Sequence, residues 1–159
     1  MSADFSIRVF HSDDLEPIKR LTLDAFVGVT LEQNIEAALG PLGGHDWRWR
    51  KARHINDDVA ANPTGIFVAE TEGRLVGYIT TQIDRESGKG RIPNLAVDAE
   101  FRGQGLARQL IERALHYFRA EGLEYALIET MAQNVAGNNL YPACGFVEVA
   151  RQVHFARKL

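Results

Sequence analysis

The chain has 159 residues, 45% of them hydrophobic and 25% charged, which is the balance of a soluble globular domain and excludes disordered, collagenous and disulfide-scaffold classes. Its 18 Lys+Arg against 21 Asp+Glu leave a net charge of −3, which argues against whole-molecule attraction to nucleic acid or to an anionic membrane. Cys144 is the single cysteine, so no intrachain disulfide forms and a reducing compartment is expected.

In chain order, Ser6-Ile7-Arg8-Val9-Phe10 alternates and predicts a first strand. Ser12-Asp13-Asp14 then offers a helix cap, with Pro17 in the permitted first turn and Leu15, Ile18, Leu21, Ala25 and Phe26 at helical spacing. Further helices are expected near 30–39 and 46–60. Ile66–Thr71 and Arg74–Asp84 read as a hairpin across Glu72-Gly73, and a strand follows at about 91–97. After Gly105 comes the best-defined helix, with Leu106, Ala107, Leu110, Ile111, Ala114, Leu115 and Phe118 on one stripe and Gly122 as its stop. Tyr125–Met131 is an apolar strand, so strand, Gly-rich turn, helix and strand make a βαβ unit with a parallel pair. A short helix at about 136–143 and two strands, at roughly 146–150 and 152–158, complete the pattern.

Met1–Phe5 lacks the charged and apolar regions of a secretory leader, and no apolar run approaches the roughly 18 residues that cross a bilayer, so a cytoplasmic protein without a membrane partner is expected. Several chemistries fall away by inspection. The five histidines show no metal-ligand spacing, no serine sits in G-x-S-x-G, and no P-loop occurs, so no metal site is expected. Cys144, between Ala143 and Gly145 with no nearby histidine, reads as a small buried hydrophobe rather than a nucleophile.

Chemistry concentrates between Asp98 and the long helix. In Phe101-Arg102-Gly103-Gln104-Gly105-Leu106-Ala107 the glycines allow a ligand close to the backbone, and the helix behind them presents unpaired N–H groups and a positive dipole end. That is a phosphate cradle. It is not a dinucleotide fingerprint, because Arg108 occupies the place of the third glycine.

Asn94-Leu95-Ala96-Val97-Asp98 followed by Arg102-Gly103-Gln104-Gly105-Leu106-Ala107 resembles the acetyl-CoA signature of the GNAT superfamily of N-acetyltransferases, whose core R/Q-x-x-G-x-G/A is met by Arg102, Gly105 and Ala107. Asn134 ahead of Leu140-Tyr141-Pro142-Ala143-Cys144-Gly145-Phe146 is similar to the second half of that signature. The resemblance implies a single-domain α/β GNAT-like fold over residues 1–159. Its mixed central sheet would have about six to seven strands, with helices on both faces and a splayed parallel strand pair.

It also implies acetyl-CoA as co-substrate and no metal. The Arg102, Gly103, Gln104, Gly105, Leu106 and Ala107 turn would hold the pyrophosphate, mainly through backbone N–H groups. The free backbone of Leu95, Ala96 and Val97 would pair with the pantetheine arm, and Asn134 would contact it. Tyr141 matches the tyrosine that donates a proton to the leaving thiolate; its other role is a core aromatic. Arg91 stands where some members carry a glutamate, which leaves Glu129 in Leu127-Ile128-Glu129-Thr130 as the candidate base, either that or a salt-bridged strand residue.

The implied acceptor is an amine on a small molecule or a peptide N-terminus, and a homodimer is compatible with the resemblance. Asp46-Trp47-Arg48-Trp49-Arg50-Lys51-Ala52-Arg53 lies where the acceptor site would be built, but reads more simply as the solvated face of a helix. Two other readings stand beside the enzyme. One is a non-catalytic acyl-CoA-binding sensor or interaction module. The other is a nucleic-acid binder using the Trp/Arg segment, which the net charge disfavours.

Overall fold

A computed structural model describes residues 4–159; Met1-Ser2-Ala3, part of the stretch expected to lack a leader, lie outside the described residues. Strand β1 (Ser6–Val9) pairs antiparallel with β2 (Phe67–Thr71), and β2 with β3 (Arg74–Ile79). The β2–β3 turn is the expected Glu72-Gly73, with both residues at positive φ (50° and 75°), the backbone twist that closes a two-residue hairpin.

The expected strand over 74–84 divides at Thr80-Thr81 into β3 and β4 (Gln82–Asp84). That at 91–97 divides likewise at Pro93-Asn94, into β5 (Lys89–Ile92) and β6 (Leu95–Val97). The two breaks face each other: Thr80 N–H donates to the Asn94 carbonyl at 2.9 Å, and Asn94 N–H donates to Thr80 Oγ1 at 3.0 Å. One sheet thus runs β1-β2-β3-β6 and another β4-β5-β7, with β7 at Tyr125–Ile128. The β5–β7 ladder is parallel, as expected, and ends at Ile92↔Ile128.

Helix α1 (Leu15–Ala25), α2 (Leu31–Leu39) and α3 (Trp47–Ala61) precede the hairpin, and α4 (Leu106–Ala120) and α5 (Val135–Ala143) flank β7 in sequence. Alternation in β2 sorts the core. Phe67 and Ala69 join Leu106, Leu110, Ile111, Ala114 and Phe118 of α4, while Val68 joins Ile18 and Leu21 of α1 and Ile55 of α3. Helices therefore cover both faces. Gly122 ends α4 as expected: it sits at φ 76°, and Leu123 N–H returns to the Phe118 carbonyl at 3.0 Å.

Two expectations are corrected. The strand over 125–131 stops at Ile128, because its partner β5 gives way to Pro93, which has no N–H to continue a ladder. The strands at 146–150 and 152–158 are absent: every residue from Val147 to Leu159 is exposed and none is paired in a ladder. Alternation alone does not make a strand; a partner edge must be in reach, and the chain leaves α5 through Gly145 at φ 89° without meeting one.

Gly90 is where the β4-β5-β7 sheet meets α4. A Cβ there would come within 2.6 Å of the Phe118 ring. Gly90→Ala is expected to cost about 1–3 kcal/mol of stability through forced displacement of that ring, read as a lower urea midpoint with an unchanged slope.

Candidate active site

The Gly-rich turn is built from β6 outward. Asp98 accepts from Glu100 N–H at 3.0 Å to shape the short turn over Ala99–Phe101. Arg102 folds back so that its Nε donates to the Val97 carbonyl at 3.2 Å. Gly103 (φ 75°) and Gly105 (φ 81°) then adopt left-handed conformations that side-chain-bearing residues resist. Gly105 caps α4 without any side-chain acceptor, and the first intrahelical bond is Gln109 N–H to the Gly105 carbonyl at 3.1 Å. The amides of Leu106, Ala107 and Arg108 precede that bond, and no acidic residue lies in the first turn to neutralise the helix end. Leu106 itself is buried in the core, so its contribution to a ligand is its backbone.

Beside this cradle β6 has one edge without a strand partner, where the Val97 carbonyl takes the Arg102 side chain. Thr80 N–H donates to the Asn94 carbonyl and Asp98 N–H to the Val76 carbonyl at 2.8 Å, so alternate residues of the strand face β3. Leu95 and Val97 therefore direct their backbone groups away from β3, toward the side on which β7 has already ended. The cradle and the open edge adjoin, and each presents backbone N–H groups.

Asn134 caps α5. Its Oδ1 accepts from Gly137 N–H at 3.1 Å, and its Nδ2 donates to Thr130 Oγ1 at 2.8 Å. Gly137, which sequence reasoning passed over, is required here: a Cβ would lie 2.7 Å from Asn134 Nδ2 and 3.1 Å from the Tyr141 ring. Tyr141 stands one turn on, its ring edge-on to Phe146 at 6.3 Å. Burial pushes its phenol up to about 12, so it is a proton donor at neutral pH. Cys144, expected to be buried, is only half-buried against the α4 cluster, and desolvation there raises its thiol above its ordinary range.

Glu129 lies one residue past β7, exposed, with both carboxylate oxygens on Arg91 Nε at 2.9 and 3.1 Å. Of the two roles the sequence left open for Glu129, candidate base or salt-bridged strand residue, the structure shows the ion pair, with Arg91 as its partner. The loop after β7 is tied to α2 and the loop before it: Gln133 donates to the Gly28 carbonyl at 2.9 Å and exchanges amide hydrogen bonds with Asn34 at 2.9 and 3.1 Å.

The Trp47–Arg53 segment opens α3 but is only partly a solvated face. Trp47 and Lys51 are buried, with Ile55 and Asp58 continuing the stripe. Arg50 is tied to Glu32 at 3.4 Å and to the Leu42 carbonyl at 2.9 Å, and Arg48 and Arg53 lie over the Trp47 and Trp49 rings at 4.7 and 4.8 Å. Lys51 Nζ donates to Asn94 Oδ1 at 2.7 Å and sits 4.1 Å from the Phe26 ring centre. Asn94 Nδ2 in turn donates to Asp58 at 2.6 Å, and Thr80 Oγ1 donates to the same carboxylate oxygen at 2.8 Å. The spacing 47, 51, 55, 58 is helical and was the available signal: a lysine and an aspartate on an otherwise apolar stripe mark a buried polar network.

No group of three or more His, Cys, Asp and Glu side chains suited to a metal occurs among the described residues, and no helix among them is long and apolar enough to cross a membrane. The sequence profile of the acetyltransferase (GNAT) family matches residues 31–146. Mycothiol acetyltransferase of Streptomyces griseus is 34% identical over 107 residues, 67% of this chain but 33% of that protein, so the chain spans a third of that relative's length. Among solved structures, a protein of Pyrococcus horikoshii superposes with a TM-score of 0.73 at 22% identity, covering 94% of this chain and 93% of that one. The ribosomal-protein-S18-alanine N-acetyltransferase of Escherichia coli superposes at 0.69 with 20% identity, over 92% and 80% of the two chains.

The buried network gives the site a pH signature. Burial lowers the Lys51 pKa from 10.5 to about 8 and raises that of Asp58. Between these two lysine values the unfolded chain holds more protons than the folded one, so stability rises with pH across that window. Relative to Lys51→Met, the wild-type chain is expected to gain about 2 kcal/mol between pH 8 and pH 10, measured by urea unfolding of both proteins at each pH.

Proposed function

The chain belongs to the acetyltransferase (GNAT) family, and from that premise we propose that it transfers an acetyl group from acetyl-CoA to an amine. The observation that carries the reading is the adjacency of two backbone features: the glycine-led start of α4, which has no side-chain cap, and the Leu95–Val97 edge of β6, which has no strand partner. Left-handed Gly103 and Gly105 leave open space where side chains would stand, so the residues present fit the co-substrate. The amides of Leu106, Ala107 and Arg108, with the Arg102, Gly103, Gln104 and Gly105 turn, would hold its pyrophosphate. Leu95 and Val97, with Ala96 between them, would pair with its pantetheine arm, and Asn134 would contact that arm from the α5 cap.

Bound there, acetyl-CoA supplies a thioester carbonyl to the attacking nitrogen. The chain's own groups handle charge and protons. Backbone N–H groups on the β6 edge stabilise the oxygen as it gains charge. Tyr141, protonated at neutral pH, donates to the departing sulfur. Glu129 takes the amine proton, directly or through water; a carboxylate engaged by Arg91 still has lone pairs for that contact. The acceptor enters between α2 and the loop after β7. Among the similar proteins one is named for mycothiol and another for an alanine of a ribosomal protein, so a small-molecule amine and a peptide N-terminus both remain in the proposal. A cytoplasmic location, no nucleic-acid partner and no membrane partner complete it.

The test is turnover of acetyl-CoA with a panel of amines and peptides, followed by release of the free thiol. Tyr141→Phe is expected to lower kcat on the order of 100-fold with little change in KM for acetyl-CoA. Glu129→Gln is expected to lower kcat and steepen its dependence on pH, and Gly105→Val to raise KM for acetyl-CoA. Tight CoA binding without turnover across the panel, indifferent to Tyr141 and Glu129, would instead identify a binding module.

A further inference from the structure

One face of the β4-β5-β7 sheet carries charge that acetyl transfer uses only in part. Alternation in β5 buries Gly90 against Phe118 of α4 and Ile92 in the same core, and leaves Lys89 and Arg91 half-buried on the opposite face. Register sets Gln82, Arg91 and Leu127 side by side across the three strands. Lys89, the other cation of this face, lies in register with Asp84.

Arg91 is fixed at two points. Its Nε donates to both oxygens of Glu129 at 2.9 and 3.1 Å, and its Nη1 donates to Gln82 Oε1 at 3.2 Å. Among the described residues no acceptor meets its Nη2. The two side chains of the ion pair are 37% and 52% exposed, and a pair so placed adds little to stability. What it supplies is a cation and an anion held side by side, each with bonding capacity left over. The Glu129 carboxylate keeps lone pairs for an ammonium. The guanidinium holds its remaining N–H groups in a fixed plane, the geometry that takes a second carboxylate.

We propose that Arg91 is a specificity-determining residue for the acceptor, and that the acceptor is a small α-amino acid. Its amine would meet Glu129, and its carboxylate would meet Nη2 of Arg91. An α-amino acid carries both charges on one carbon, and the protein's two charges are themselves in contact, so each meets its opposite without breaking the pair. A simple amine meets Glu129 but leaves Arg91 unused. A peptide N-terminus offers Arg91 a neutral carbonyl, which accepts more weakly than a carboxylate. A small molecule also suits the cleft, because the loop after β7 is tied across to α2 through Gln133 and Asn34. This assignment rests on acetyl transfer, with Glu129 at the amine.

Matched acceptor sets separate the charges: alanine, leucine, phenylalanine and lysine, each with its carboxamide and its decarboxylated amine. Calorimetric titration of the chain, with and without CoA, is expected to show at least one acid binding about tenfold or more tighter than its amine, with the amide between them. Turnover is expected to rank each set in the same order, through KM for the acceptor rather than kcat. Arg91→Gln is expected to bring the members of a set together and to leave KM for acetyl-CoA unchanged. Arg91→Lys keeps the charge without the planar fork and is expected to retain part of the preference. Arg91→Gln also releases Glu129, so its effect on the decarboxylated amine is the reference, and the difference between acid and amine isolates the carboxylate contact. Circular dichroism is expected to show both variants folded. Acids that bind no better than their amines in every set would overturn the assignment, as would a preference that survives Arg91→Gln. Amides that match their acids would overturn the carboxylate equally. Absence of turnover with every member would count against acetyl transfer instead, and the titrations would still decide the Arg91 contact.

Discussion

The constraint on which the site depends is the pair of facing chain breaks at Thr80-Thr81 and Pro93-Asn94. A continuous β3–β4 strand beside a continuous β5–β6 strand would carry β7 along its whole length, and Leu95–Val97 would be paired on both sides. Instead the Asn94 side chain turns inward to Lys51 and Asp58, while its backbone N–H is met by the Thr80 hydroxyl. Pro93 removes one donor from the ladder at the same place. The result is an edge opened inside a folded domain, next to a helix start that has no cap of its own.

Holding that break carries a cost. Lys51 and Asp58 are buried, and burial disfavours the charged form of each. The protein offsets it by satisfaction rather than by exposure. Asp58 accepts from Thr80 and Asn94, and Lys51 donates to Asn94 against the face of Phe26. Asn94 is suited to the middle of this chain because one side-chain end accepts and the other donates. A hydrophobic substitute for the set would fill the volume but would not specify where the strand bends.

Tyr141 and Glu129 meet their surroundings in different ways. Tyr141 is set by local structure: Asn134 caps α5, Gly137 makes room, and helical spacing delivers the phenol to a half-buried position. Glu129 is set by tertiary structure, through an ion pair across the β5–β7 ladder that no local pattern specifies.

Local patterns in the sequence determined much of this protein. The α4 stripe, the Glu72-Gly73 turn, the left-handed glycines ahead of α4 and the Asn134–Tyr141 helix are short-range features, and their residues carry the reason for each within a few positions. What spans distant residues was decided only by the tertiary structure. The interruptions at Thr80 and Asn94 follow from a network reaching to α3. The burial of Trp47 and Lys51 in a segment rich in charge depends on α3 lying against the sheet, although its 47, 51, 55, 58 period was visible. The segment after Phe146 alternates as a strand should, yet forms none, because alternation specifies only which side chains share a face. Whether a strand forms is decided by whether an unpaired edge lies within reach of its backbone, and position in space is the property that local pattern does not contain.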